Sequence, residues 1–197
     1  MKRRTSPSKS QETGQFRIIA GLYRGRKLTF PAIDNLRPTP DRVRETVFNW
    51  LFNACPHAHC LDLFAGSGSL GLEALSRGAE SCTFIEKNKA ANQAITSHLN
   101  TLKVSNSQVS LASLPQAISQ LDKPYNLIFI DPPYKLHLIN SCIDHLLIQH
   151  LISDNAWIYI ENASNDPAIL LPPEFSLQRE KIFGQVRSSL FQYQPIN

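Results

Sequence analysis

Asp62-Leu63-Phe64-Ala65-Gly66-Ser67-Gly68-Ser69-Leu70-Gly71 joins a short apolar run, Cys60–Phe64, to a helical segment, Leu70–Arg77, that closes at Gly78. The run reads as a buried strand, Gly66 and Gly68 let the backbone turn sharply, and Gly71 lets the following helix come close to the sheet. The same strand–helix alternation continues outward. Strands are expected at Ser81–Ile85, Ser107–Ala112, Leu127–Ile130 and Trp157–Ile160. Between them lie an N-capped helix, Asn88–Lys103, a short helix, Leu114–Leu121, and a helix at His137–Leu151. Strands alternating with helices predict a doubly wound, mostly parallel sheet covered on both faces, an α/β fold. Ser176–Phe183 and Val186–Tyr193 flank Gly184 and read as an antiparallel pair completing seven strands.

Gly66-Ser67-Gly68-Ser69-Leu70-Gly71 matches the dinucleotide fingerprint literally, so a nicotinamide dinucleotide and S-adenosylmethionine must be compared. Pyrophosphate needs free amides at a helix N-terminus and little negative charge nearby. Asp62 at the strand end suits an ammonium or sulfonium instead, and Glu86, ending the second strand, can accept from ribose hydroxyls. Asp131-Pro132-Pro133-Tyr134 decides between them. It follows the strand Leu127–Ile130, and two prolines forbid the ladder from continuing and stiffen the turn. One carboxylate, carbonyls without competing donors and an aromatic ring suit a flat heterocycle bearing an amino group. A hydride-transfer site has no use for them, so S-adenosylmethionine is the expected cofactor.

Charge divides the chain. Residues 1–44 hold eleven Lys/Arg against three acids, whereas residues 45–197 hold nine against thirteen. A basic quarter on a mildly acidic body points to a polyanion-binding module. Residues 1–15 read as a disordered basic arm. Phe16–Ala20 and Arg26–Phe30 read as a hairpin whose loop carries Tyr23 and Arg24. Two strands alone are marginal, so the hairpin should dock on the body. A helix is expected after Arg37-Pro38-Thr39-Pro40-Asp41, with Thr39 as N-cap and Val43, Val47, Trp50, Leu51 and Ala54 on its apolar face. The domain expectation is an arm at 1–15, an RNA-binding hairpin extension at 16–38 and a Rossmann-like domain at 39–197. Cys55, Cys60, Cys82 and Cys142 lack metal-ligand spacing and are expected reduced, with no metal. No run of about 18 apolar residues exists to cross a membrane, and no apolar segment follows the basic N-terminus, so a cytoplasmic protein is expected. Composition suggests a monomer.

Asp62–Gly71 resembles motif I of class I methyltransferases, and Ile128–Tyr134 resembles motif IV of their amino-methylating branch. Arg17–Gly21, Arg24–Leu28, Arg37–Thr46 and Gly71–Ala79 narrow the likeness to the bacterial RsmD family, over about residues 15–193. That resemblance implies a class I fold with a small N-terminal hairpin, and methylation of the 2-amino group of one guanine in small-subunit ribosomal RNA. It implies cofactor contacts from Asp62, Phe64, Ala65, Gly66, Gly68, Glu86, Lys87, Ser113 and Asp131, and a catalytic turn of Asp131, Pro132, Pro133 and Tyr134. Many class I enzymes carry an acid after the third strand where this chain offers Ser113. RNA contacts are expected from Arg17, Arg24, Arg26, Lys27, Arg37 and Arg42, with the RNA met in an assembling subunit. The rival readings are a DNA adenine amino-methyltransferase, an NAD-dependent oxidoreductase and a non-catalytic RNA-binding protein.

Overall fold

The computed structural model describes residues 13–33, 38–133 and 136–196. Nine strands and four α-helices are seen among them. β1 (Thr13–Arg17) and β2 (Lys27–Pro31) form an antiparallel hairpin. α1 (Asp41–Trp50) leads into β3 (His59–Leu63), α2 (Ser69–Ser76), β4 (Ser81–Glu86), α3 (Lys89–Leu102) and β5 (Gln108–Leu111). A 3-10 helix (Gln116–Gln120), β6 (Tyr125–Ile130), α4 (Leu136–Ile148), β7 (Ile152–Ala163), β8 (Phe175–Phe183) and β9 (Val186–Tyr193) follow.

The seven strands of the main sheet run in the order β5-β4-β3-β6-β7-β9-β8. β3 to β7 pair in parallel, and β9 pairs antiparallel with both β7 and β8, as the sequence predicts. The chain winds outward from β3 to β5 and then crosses back to β6. A crevice opens at such a switch point, beyond the carboxyl ends of β3 and β6. Alternation within the strands sends Cys60, Phe84 and Phe129 to a core beneath α1, α2, α3 and the hairpin. Leu61, Leu63, Ile128 and Ile130 pack on the other face, against the 3-10 helix and α4.

The hairpin docks, because its inner residues Phe16, Leu28 and Phe30 belong to the first of these cores. It starts earlier than expected: Thr13, Gly14 and Gln15, assigned to the arm, pair with Pro31, Phe30 and Thr29. It also leaves the ladder earlier. Ile19 and Ala20 donate their N–H groups to the Glu73 carboxylate on α2, at 2.8 and 3.1 Å, instead of to a partner strand. Gly21 (φ +83°) lies so close to the Ser76 carbonyl that any Cβ there would overlap it.

α1 differs from expectation in its cap and its buried face. Pro40, not Thr39, stands at the N-cap, and no side chain caps the helix. Thr39 is instead buried, with its side chain near Glu161. Val43, Val47 and Leu51 are buried as expected, but Phe48 and the charged Arg44 join them. Arg44 is 0% exposed and reaches Glu73 at 3.2 Å, Asp41 at 2.6 Å and the Arg17 carbonyl at 2.8 Å. Arg77 completes the Glu73 cluster at 2.8 Å. β7 begins five residues before the expected Trp157, with a register irregularity between Tyr125 and Leu127.

Removing one member of a buried ion pair leaves its partner charged and desolvated. Glu73→Ala is therefore expected to lower unfolding free energy by about 3–5 kcal/mol, read as a lower denaturant midpoint. An unchanged midpoint would contradict the role assigned to this carboxylate.

Candidate active site

Each parallel strand near the switch point carries a carboxylate at or next to its carboxyl end. Asp62 lies in β3, Glu86 ends β4, and Asp131 follows β6. Glu161, near the end of β7, is next in register to Asp131, because Ile130 pairs with Ile160. Glu161 was not among the sequence-derived candidates. The signal was available, since an acid follows Trp157–Ile160 as Asp131 follows Leu127–Ile130, and parallel strands bring such ends together.

The turn after β3 is tied down by these acids. Asp62, 2% exposed, accepts the Gly71 N–H at 2.9 Å. Glu86 accepts the Gly66 N–H at 2.7 Å and the Asn88 N–H at 2.6 Å. Asn88 in turn caps α3 through the Ala90 and Ala91 N–H groups, as expected. Gly66 and Gly68 have φ of +56° and +75°, the left-handed region glycine tolerates. Phe64 also sits there at +62°, a conformation costing about 1–3 kcal/mol in a non-glycine residue and concentrated at functional sites. A Cβ on Gly71 would lie 2.3 Å from the Phe84 ring, which accounts for glycine where α2 crosses the sheet.

Two amides of the glycine turn are thus already engaged by carboxylates, not held open for a pyrophosphate. That donor set fits a cationic, phosphate-free cofactor and does not fit a dinucleotide. Burial pushes the Asp62 carboxyl up to about 7, opposed by the Gly71 N–H and reinforced by the charges of Asp131 and Glu86. Burial likewise raises Asp131 to about 7. Glu161 is raised well above the usual carboxylate range by burial and by the Asp131 charge, against the hydrogen bonds from Tyr159 and Thr39.

Of the other expected site residues, Ala65 is buried in the turn, Lys87 is exposed beyond Glu86, and Ser113 is exposed two residues past β5. The Ala112 N–H donates to the Glu86 carbonyl and keeps that segment against β4. Pro132 is buried and Pro133 exposed. Arg17, Arg24, Arg26 and Lys27 are exposed on the hairpin, and Arg42 is exposed on α1. Tyr134 and Arg37 lie outside the described residues. No group of three or more potential metal ligands occurs among the described residues. None of the described helices is long and apolar enough to cross a membrane.

The model of a family described as "Conserved hypothetical protein 95" matches residues 16–192. The chain belongs to that family. It is 45% identical over 180 residues to "Ribosomal RNA small subunit methyltransferase D" of Escherichia coli, covering 91% of both chains. The RsmD membership expected from the motifs is borne out. The solved structure of the Escherichia coli protein yhhF, 45% identical, superposes with a TM-score of 0.85 over 92% of this chain and 99% of that one. A chain provisionally assigned as a methyltransferase and crystallised with SAH shares the fold at 13% identity and a TM-score of 0.68. The class I methyltransferase fold expected from the sequence is present.

The raised carboxyls set a pH dependence. A carboxyl whose folded-state value is raised stabilises the protein below its unfolded value and loses that contribution as pH rises through the folded value. For Asp62 the window runs from 3.8 to about 7. Asp62→Asn, which keeps an acceptor for Gly71, should therefore gain stability relative to wild type as pH climbs through that window. Paired thermal melts of the ligand-free proteins check this, and a pH-independent difference would contradict it.

Proposed function

We propose that this chain transfers a methyl group from S-adenosylmethionine to the 2-amino group of a guanine in small-subunit ribosomal RNA, within an assembling subunit. The observation that carries the reading is the acidic rim whose carboxylates hold the glycine-turn amides, with Asp131 fixed on a proline turn beside them.

The cofactor supplies an electrophilic methyl on a sulfonium. Asp62, Glu86 and the turn from Phe64 to Gly68 would hold it, with Lys87 and Ser113 at the margin. The negative rim draws in the cofactor's positive charge and repels phosphate. The residues' harder task concerns the amine, whose nitrogen shares its lone pair with the guanine ring. Asp131 and the Pro132 carbonyl each accept one amino hydrogen, drawing the nitrogen toward tetrahedral geometry and freeing the lone pair. Tyr134 stacks on the base, which must be flipped from its neighbours to reach a recessed site. Most of the acceleration then comes from holding two reactants in line.

The hairpin, taken as an extension over residues 16–38, supplies the polyanion contact through Arg17, Arg24, Arg26 and Lys27, and Arg37 and Arg42 add to the same positive charge. Arg17 and Lys27 pair across the two strands and are both exposed, so they present charge outward while Phe16 and Leu28 anchor the hairpin within. Contacts of this kind hold phosphate and set register without reading sequence.

Asp131→Ala is expected to slow single-turnover methyl transfer by roughly 10²–10⁴-fold while cofactor affinity stays close to wild type. Rapid-quench transfer of labelled methyl, with cofactor titration alongside, measures both. Wild-type transfer by this variant would sink the reading.

A further inference from the structure

The carboxylate beside Asp131 has no part in the reaction as set out above. Glu161 is 6% exposed and accepts a hydrogen bond from the Tyr159 hydroxyl at 2.7 Å. Tyr159 is itself buried and bonds Ser188 at 2.9 Å. Asp131 and Glu161 are neighbours in register on the ends of two parallel strands, on the face that carries Phe129 and Tyr159. Around them, the turn after β6 contributes Asp131, β7 contributes Tyr159, β9 contributes Ser188, and the segment before α1 brings Thr39 near Glu161. Asp62 and Glu86, on the next strands, add further negative charge to the rim. The four ion pairs among the described residues join other side chains.

From this geometry we infer that Glu161 is a positioning residue: it keeps a proton while Asp131 works as the single anion of the pair, and so holds Asp131 in place.

The inference rests on the amino-methylation reading. Glu161 is buried and Asp131 half-buried, and two like charges in such adjacent positions are disfavoured together and titrate in two separated steps. A protonated Glu161 still accepts from Tyr159 through its carbonyl oxygen, so that bond survives. Ionising it as well would set two anions side by side, and their repulsion would swing Asp131 away from the amine. The proton count closes. An amine that gains a methyl must shed one proton, and Asp131 takes it. The pair then holds two protons instead of one, and returns one to water as product leaves.

Carbon-13 NMR of side-chain carboxyls in the ligand-free protein tests this without turnover. Wild type should show one carboxyl titrating above all others, and that signal should vanish in Glu161→Gln. Its persistence in Glu161→Gln, or its absence from wild type, overturns the inference. A second measurement is the pH profile of single-turnover transfer. Wild type should rise as Asp131 ionises and fall again at higher pH, and Glu161→Gln should lose the alkaline fall only. Should Glu161→Gln fail to fold, Tyr159→Phe serves in its place. It removes a bond that favours the ionised carboxylate, so the alkaline limb should move to higher pH, and no movement or the reverse overturns the inference. A Glu161→Gln enzyme as inactive as Asp131→Asn throughout would also overturn it, because Glu161 would then be acting as an anion. Wild-type transfer by Asp131→Asn would defeat the underlying reading instead.

Discussion

Four donors converge on the buried carboxylate of Glu73: the amides of Ile19 and Ala20, the guanidinium of Arg44 and that of Arg77. The hairpin, α1 and α2 meet at this one group, which is 0% exposed. A carboxylate taken this far from water persists only with its lone pairs filled, and the same donors would be costly if it were removed. The cluster has a geometric consequence. Arg44 also bonds the Thr39 carbonyl at 3.1 Å, which fixes the chain just before α1. Thr39 also stands close enough to Glu161 to influence its carboxyl, so the anchored segment lies near the acid ends of the sheet.

Those acid ends perform two tasks with one kind of group. Asp62 and Glu86 spend an oxygen each on amides of the glycine turn, which shapes the turn and removes the donors that a pyrophosphate would use. Burial raises the carboxyls of Asp62 and Asp131 toward neutrality. A site built this way favours a cation that arrives without phosphate. The proline turn after β6 then sets Asp131 beside that site on a backbone that cannot join a ladder.

Much of this was legible in the sequence because it depends on local pattern. The apolar runs around Asp62 and before Glu86 and Asp131 marked three parallel strands, and glycine and proline marked the turns that end two of them. The terminal antiparallel pair around Gly184 was legible for the same reason. What escaped depends on distant partners. Arg44 and Glu73 look like ordinary surface charges on amphipathic helices, and only the docking of the hairpin buries them. Thr39 reads as a helix cap, but Pro40 takes that position and no side chain caps α1. Glu161 itself was passed over because no glycine or proline punctuates the chain there. The early departure of the hairpin from its ladder followed from an acceptor 54 residues away.

The most direct measurement is the identity of the nucleoside that this enzyme labels in small subunits, and in their bare ribosomal RNA, taken from cells lacking it. After transfer of isotopically labelled methyl and digestion to nucleosides, mass spectrometry should find the label on N2-methylguanosine. Label on N6-methyladenosine or on a ring carbon, or no label with the cofactor bound, would contradict the account.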